Sequence, residues 1–283
     1  MTHTGGGRAG RALFGIVFGG AAVVVLVFLL LPVVAIFTHV SPADLVGQLG
    51  RPEARDAIIV TVRTTLIAQV LILVIGTPAA YLIATRSVRS RAVTVTLIEL
   101  PLVMPPAVAG IGLLAAFGDL GLLGGAFSAL GISIAFTEVA VVMAVAYVAS
   151  PFYLRQAVAA FEAVDAGLVD AARTLGAGPL RVFGRIVLPL ALRGLAAGAA
   201  LSFARGIGEF GATIMFAGSM QGVTQTLSLA IYRQFDVNFD LALALGGLLI
   251  IVSALVLLTT KILPLWTRSK STSDSRDAIS SSI

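Results

Sequence analysis

The chain has 283 residues, 58% of them hydrophobic and 12% charged, with a net charge of +5 and a mean hydropathy of +1.03. Soluble domains carry about 25% charged residues, so this composition excludes a globular protein folded round one core and implies a polytopic membrane protein. The absence of cysteine excludes disulfides and thiolate metal centres, and the two histidines, His3 and His39, stand far apart and read as solvated.

In chain order, residues 1–11, with Gly5, Gly6, Gly7, Arg8 and Arg11, read as a flexible basic tail. Residues 12–37 are apolar and uncharged, enough to cross ~30 Å of hydrocarbon, and form the predicted first transmembrane helix. A cleaved signal peptide has an apolar core of about 7–15 residues, shorter than this run. Residues 38–56 are polar and read as a loop or a short surface helix. Further spans are predicted over 57–85, 92–117, 134–154, 186–217 and 241–263. Pro101, Pro105 and Pro106 make an unbroken helix over 92–117 improbable, because freed backbone groups must find partners inside the bundle. Residues 118–133 are Gly-rich with a single charge, Asp119, and 218–240 form a second polar loop. Residues 264–283 are Ser-rich and charged, a predicted disordered tail. The fold class is therefore all-α, with about six transmembrane helices.

One polar interruption organises this pattern. Between Phe161 and Pro189 the charges Glu162, Asp165, Asp170, Arg173, Arg181 and Arg185 return, and the apolar residues become periodic. Leu168, Ala171, Ala172 and Leu175 fall at the spacing of one helix face. Gly176 stands where a left-handed cap would end that helix, and Pro179 suits the first turn of a second. Leu180, Phe183, Ile186 and Val187 make the predicted apolar face of the second short helix.

Asp170-Ala171-Ala172, three residues, Gly176, nine residues and Ile186-x-Leu188-Pro189 resemble the EAA loop of ABC importer permeases. The one departure is Asp170, where the family motif has glutamate; the charge is kept and its reach shortened. The resemblance extends over residues 57–263 and implies a MetI-like permease bundle. Gly76 to Leu82, Leu100 to Pro106 and Phe203 to Thr213 carry the rest of it. The last stretch, with Gly208-Glu209-Phe210-Gly211-Ala212-Thr213, is similar to permeases for molybdate, tungstate and sulfate, and its wording favours molybdate. The resemblance implies that Asp170, Ala171, Ala172, Leu175, Gly176, Ile186, Leu188 and Pro189 dock a cytoplasmic ATPase subunit. It also implies an extracytoplasmic binding protein, a homodimer and an inner-membrane location; sulfate or tungstate transport is the alternative within the family.

Orientation follows from the basic residues. With both termini cytoplasmic, fourteen Lys and Arg fall inside and three, Arg51, Arg55 and Arg233, fall outside. This asymmetry accounts for the net positive charge without nucleic acid.

Gly206-x-Gly208-x-x-Gly211 matches a dinucleotide fingerprint by letters but lies in an apolar span with no βαβ unit, so its glycines read as packing or bending sites, as do Gly194 and Gly198. The only lysines, Lys261 and Lys270, follow Thr260 and Ser269, so no P-loop is present and ATP with its magnesium is expected on a partner chain. Carboxylates are few, Glu99, Asp119 and Glu138 stand isolated, and neither a catalytic nor a metal constellation is visible. Arg205 and Glu209 lie four apart within the fifth span, where buried charge either lines a pathway or forms a structural pair. Arg205, Glu209 and Thr213 are the pathway candidates, with Arg63 and Gln69 behind them. An ion-coupled carrier would call for inverted repeats and mid-membrane acids, of which Glu209 alone qualifies. A non-transporting scaffold would leave the polar residues of the fifth span without a role.

Overall fold

The computed structural model describes residues 6–39, 42–85 and 88–280, with side chains over 14–39, 45–85 and 91–259. Every regular element among them is helical. The order is α1 (Gly6–His39), α2 (Pro42–Leu49), α3 (Pro52–Ala84), α4 (Val88–Val103), α5 (Pro106–Phe117), α6 (Gly124–Ala129) and α7 (Glu138–Glu162). It continues with α8 (Ala166–Thr174), α9 (Pro179–Val182), a π-helical turn (Phe183–Val187), α10 (Leu188–Ile207), α11 (Gly211–Ala217), α12 (Leu227–Phe235) and α13 (Phe239–Ser280). Helices are what this composition demands, since hydrocarbon offers the backbone no partner and a helix satisfies its own groups.

Among the described residues, five helices are long and apolar enough to cross a membrane. A sixth crossing appears if Arg91–Val103 and Pro106–Phe117 count as one broken span. That pair is bent by 109° at the break beside Pro105, where the prolines remove backbone donors and forbid a straight continuation.

The bundle is built round α7, which packs chiefly against α3 and α10. Small residues on its buried face, Ala140, Ala144, Ala149 and Ala157, allow that closeness. Gly194 and Gly198 bring α10 onto α7: a Cβ at Gly194 would stand 2.4 Å from that of Ala160, and one at Gly198 would stand 2.9 Å from that of Gln156. Halfway along, the Tyr153 hydroxyl lies 2.5 Å from Thr77 Oγ1, a polar bond inside the bundle. Near its C-terminus α1 touches α13, with Phe37 and Ile36 beside Gly247; its apolar side chains from Phe14 to Leu31 are exposed, as lipid contact permits.

Several boundaries differ from those the sequence suggests. α3 begins at Pro52, whose ring suits the first helical turn, so part of the polar 38–56 stretch is helix. α7 runs past residue 154 to Glu162, because nothing between carries a stop signal. The predicted flexible tail is helical from Gly6, and residues 1–5 lie outside the described ones. At the other end helical backbone continues through Ser280, where composition suggests disorder; after Pro264 neither Gly nor Pro encodes a stop. Residues 281–283 of that tail lie outside the described ones.

Two differences bear on function. The second short helix expected in the 161–189 loop is not separate, since α9 passes through the π-helical turn directly into α10. The span expected over 186–217 is not continuous either. It breaks at Gly208–Phe210 and restarts as α11.

Candidate functional site

Two polar regions interrupt the bundle: the loop between α7 and α10, and the segment from the end of α10 to the start of α12.

In the loop, Asp165 starts α8 by accepting a 2.7 Å hydrogen bond from the Gly167 N–H. Gly176, with φ +81°, ends it. Its N–H donates to the Arg173 carbonyl and the Ala177 N–H to the Ala172 carbonyl, the paired bonds of a Schellman motif, as the predicted left-handed cap requires. Pro179 opens α9, also as expected.

The apolar residues of the loop divide differently from the single face proposed. Val169 and Ala172 pack inward on the cluster formed by the ends of α3, α7 and α10. Leu168, Ala171 and Leu175 face outward, Leu175 being 87% exposed. In the following helix Leu180 is 89% exposed, whereas Val182 and Val187 are buried. Phe183 packs between Tyr81 and Phe161 in tilted contacts, with ring centroids 4.8 and 6.1 Å away. Leu180 thus does not belong to the inward face, because the π-helical turn shifts the register after Val182. Ile186 and Leu188 are half-buried and Pro189 is exposed. Asp170 is exposed, 3.6 Å from Arg173 one turn away. The loop therefore presents an outward row of small and large apolar residues on a helix anchored from behind.

The second region centres on Glu209. Its side chain is fully buried, with Oε2 2.7 Å from Arg205 Nη1 and Oε1 accepting a 2.8 Å bond from the Ala212 N–H. The Oε2 contact is an ion pair without an aligned N–H. One carboxylate thus joins the end of α10 to the first turn of α11, where the helix dipole favours a negative charge. Arg205 is 29% exposed, so the cation keeps a face open while the anion is sealed. Thr213 is buried and its hydroxyl has no partner among the described residues. α11 lies tightly on α5: a Cβ on Gly211 would stand 2.8 Å from that of Pro106, and one on Gly110 would stand 2.5 Å from the Ala212 oxygen. Gly211 is therefore a packing residue, as read from the sequence.

The remaining polar residues find structural partners. Gln69 of α3 donates to the Ala199 carbonyl at 3.1 Å and accepts from Ser202 at 3.2 Å, cross-linking α3 to α10. The carboxylates that looked isolated are paired. Arg63 meets Glu138, Arg155 lies 2.9 Å from Glu99, and Asp119 accepts from Ser133 at 3.1 Å. Arg91 and Glu162 add a second bridge, 3.1 Å long, between α4 and α7. Sequence spacing gives no signal for pairs so distant along the chain. No group of acidic residues and histidines arranged for a metal occurs among the described residues.

The bundle thus combines a bent α4–α5 pair, a capped helix–turn–helix and a broken span carrying a buried ion pair. Residues 72–266 match the model of the binding-protein-dependent transport system inner membrane component, and the chain belongs to that family. The chain is 44% identical over 237 residues to the molybdenum transport system permease protein ModB of Mycobacterium tuberculosis, a match covering 84% of this chain and 90% of that one. It is 32% identical over 238 residues to the sulfate transport system permease protein CysW of Synechocystis, covering 83% and 85%. Among solved structures, a bacterial alginate ABC transporter in complex with a periplasmic protein superposes with a TM-score of 0.69 at 15% identity, over 89% of this chain and 93% of that one. The MetNI methionine ABC transporter gives 0.57 at 20% identity, over 73% and 92%. These two similarities establish the fold, an ABC transporter permease bundle.

Proposed function

We propose that the chain is the membrane subunit of an ATP-driven importer of molybdate across the cytoplasmic membrane. The observation that carries this is the 44% identity to a molybdenum permease along nearly the whole of both chains. The 161–189 loop supports the mechanism. Its outward row of Leu168, Ala171 and Leu175, backed by buried Val182 and Val187, suits the groove of a cytoplasmic ATPase. Asp170, Gly176, Ile186, Leu188 and Pro189 set the course of that surface. ATP and its magnesium belong to the ATPase. A homodimer then presents two such loops to two ATPase subunits round one pathway, and an extracytoplasmic binding protein delivers the anion. Both termini lie inside, following the fourteen-to-three distribution of basic residues.

In the pathway, Arg205 supplies positive potential and Thr213 a hydroxyl donor. Glu209 acts through them: it holds the guanidinium, moderates its field and starts α11. Weak, partly neutralised donors let an anion pass rather than lodge. The relationship to a sulfate permease favours sulfate as the second substrate to test. ATP-dependent uptake of labelled molybdate into vesicles holding the assembled complex, with unlabelled molybdate, tungstate and sulfate as competitors, tests the assignment. Strong competition by molybdate and weak competition by sulfate is expected; the reverse order reassigns the substrate. Uptake without ATP under an ion gradient would replace the importer by a coupled carrier.

A further inference from the structure

The start of α12 carries a group of polar atoms that the fold leaves without partners. Thr226 occupies the N-cap position with extended backbone, φ −74° and ψ 170°, where a threonine hydroxyl ordinarily accepts from the first turn. It makes no such bond. Its Oγ1 is buried and unpartnered, and so is Oγ of Ser228, two residues on. Of the first-turn N–H groups, that of Leu227 donates to Thr61 Oγ1 of α3 at 2.7 Å. Those of Ser228 and Leu229 have no acceptor among the described residues. Two unpartnered hydroxyls and two N–H groups without an acceptor thus fall within four residues at one helix end.

Leaving such groups empty inside a bundle is costly, and most buried polar atoms are paired. Both hydroxyls can donate as well as accept, and with the two N–H groups and the positive end of the helix dipole they can meet an anion with several acceptor oxygens. Its position is also informative. Phe210, in the break between α10 and α11, packs on Tyr232 of α12 with ring centroids 5.3 Å apart, so α12 lies against the Arg205–Glu209 region. The bond to Thr61 fixes its first turn to α3. The connecting turn is itself buried at Thr224 and Gln225, and non-helical backbone at such a place is tolerated where it is enclosed by protein or lines a wet passage.

We infer that the N-terminus of α12, through Thr226, Ser228 and the adjoining N–H groups, is a transient binding station for the tetrahedral oxyanion, distinct from the Arg205–Glu209 pair. The inference rests on the oxyanion reading above. All its donors are neutral, so the anion is held without being trapped.

The test uses the complete transporter reconstituted with its ATPase and binding protein, with labelled molybdate as the probe. Thr226→Val keeps the side-chain shape and removes the hydroxyl; Ser228→Ala does the same at a half-buried position and serves if the first variant lowers complex yield. Each is expected to reduce uptake per assembled complex about tenfold, with binding-protein-stimulated ATP hydrolysis within about twofold of wild type. Thr226→Ser, which restores a hydroxyl, retains uptake. Wild-type uptake per complex in both Thr226→Val and Ser228→Ala would overturn the station. So would equal loss in Thr226→Ser and Thr226→Val, since shape alone would then be at stake. A complex that is less stable but transports normally would identify a structural water as the occupant and overturn it too. Failure of the wild-type complex to import molybdate, tungstate or sulfate would instead remove the oxyanion reading, and the station with it.

Discussion

The 161–189 loop and the 205–228 segment both interrupt apolar sequence with polar residues, yet they treat those residues in opposite ways. The loop turns its charges and part of its apolar row outward, and α8 buries no residue completely. Its shape is fixed by local devices: the Asp165 cap, the Schellman bonds at Gly176 and the proline start of α9. The 205–228 segment encloses its polar groups, with Glu209, Thr213, Thr224, Gln225 and Thr226 all buried. Its shape depends on one carboxylate reaching across a helix break and on contacts to α3, α5 and α12. A docking surface can be exposed and locally determined because its partner completes it. A pathway must be built inside the bundle from groups the fold does not fully satisfy. The loop should therefore lose its partner when altered, while the break should lose the fold first.

The sharpest test of that difference is Glu209→Ala. It strips the Arg205 guanidinium of its counter-ion and leaves the first turn of α11 uncapped. The cation left behind is partly exposed, so the cost is that of the lost charged hydrogen bond and the open Ala212 N–H, about 2–3 kcal/mol, and the yield of assembled complex and its melting temperature should fall. Glu209→Gln retains an oxygen for the Ala212 N–H and should be milder. Arg205→Ala combined with Glu209→Gln should recover most of the yield lost in Arg205→Ala alone, because no buried charge then stands unpaired. Recovered yield without recovered uptake would locate Arg205 in the pathway. Normal yield in Glu209→Ala would remove the carboxylate from the architecture.

Next in size is a steric block on the loop. Ala171 faces outward and Ala172 inward, so Trp at the two positions should act by different routes. Ala171→Trp should leave membrane assembly intact and reduce capture of the ATPase at least tenfold, the scale of an interface hot spot worth ~2 kcal/mol. Ala172→Trp should instead displace α8 from the bundle and expose its backbone to hydrogen exchange. Wild-type ATPase capture by Ala171→Trp would mean that the outward row is not the docking face.

The same contrast explains what the amino-acid sequence discloses. Span number, the bend near Pro105 and the loop with its Gly176 cap are legible because they depend on local chemistry: hydropathy, missing donors and a left-handed turn. The exposed loop keeps its punctuation visible. The break at Gly208 is hidden, since glycines and one ion pair in an apolar run fit a continuous helix as well as an interrupted one. The polar stretch around Thr224 reads only as a polar loop, and the packing of α3, α12 and α13 buries it. Pairs such as Arg63–Glu138 and Gln69–Ser202 join residues far apart in the chain, so nothing local announces them. The inward turn of Val169 and outward turn of Leu168 depend on where α8 rests, which periodicity alone leaves open.

Gly176 tests the local side of the comparison with a smaller effect. Its φ of +81° is strained for any β-branched residue, and Gly176→Val should cost about 1–2 kcal/mol, confined to the loop. Asparagine tolerates the left-handed region better, so Gly176→Asn should cost less than valine. A Cβ placed there would meet nothing within 4 Å apart from the adjoining residues, so the penalty is conformational rather than steric crowding. ATPase association and binding-protein-stimulated hydrolysis should fall in the order glycine, asparagine, valine. Equal activity in all three would show that the turn does not set the docking geometry.

The smallest effect is expected at the two bridges that link these regions. Arg91–Glu162 and Glu99–Arg155 tie α4 to the last turns of α7. α7 leads directly into the loop, while α4 leads through the bend to α5, on which α11 rests. The bridges are partly exposed, and such pairs contribute about 0–1 kcal/mol each, so neutralising Glu162 or Glu99 with glutamine should barely alter complex yield. Charge reversal is more demanding. Arg155→Glu places two carboxylates together beside the α4–α7 cleft and should push the helices apart without unfolding them. Because the two pairs join α4 to the helix that leads into the loop, the proposed docking there predicts that the reversal lowers uptake per ATP hydrolysed more than it lowers either assembly or hydrolysis. Adding Glu99→Arg restores opposite charges at the same separation and should restore the ratio. A ratio unchanged by Arg155→Glu would mean that motion reaches the pathway through α10 alone, which already joins the loop to the break as one helix from Pro179 to Ile207.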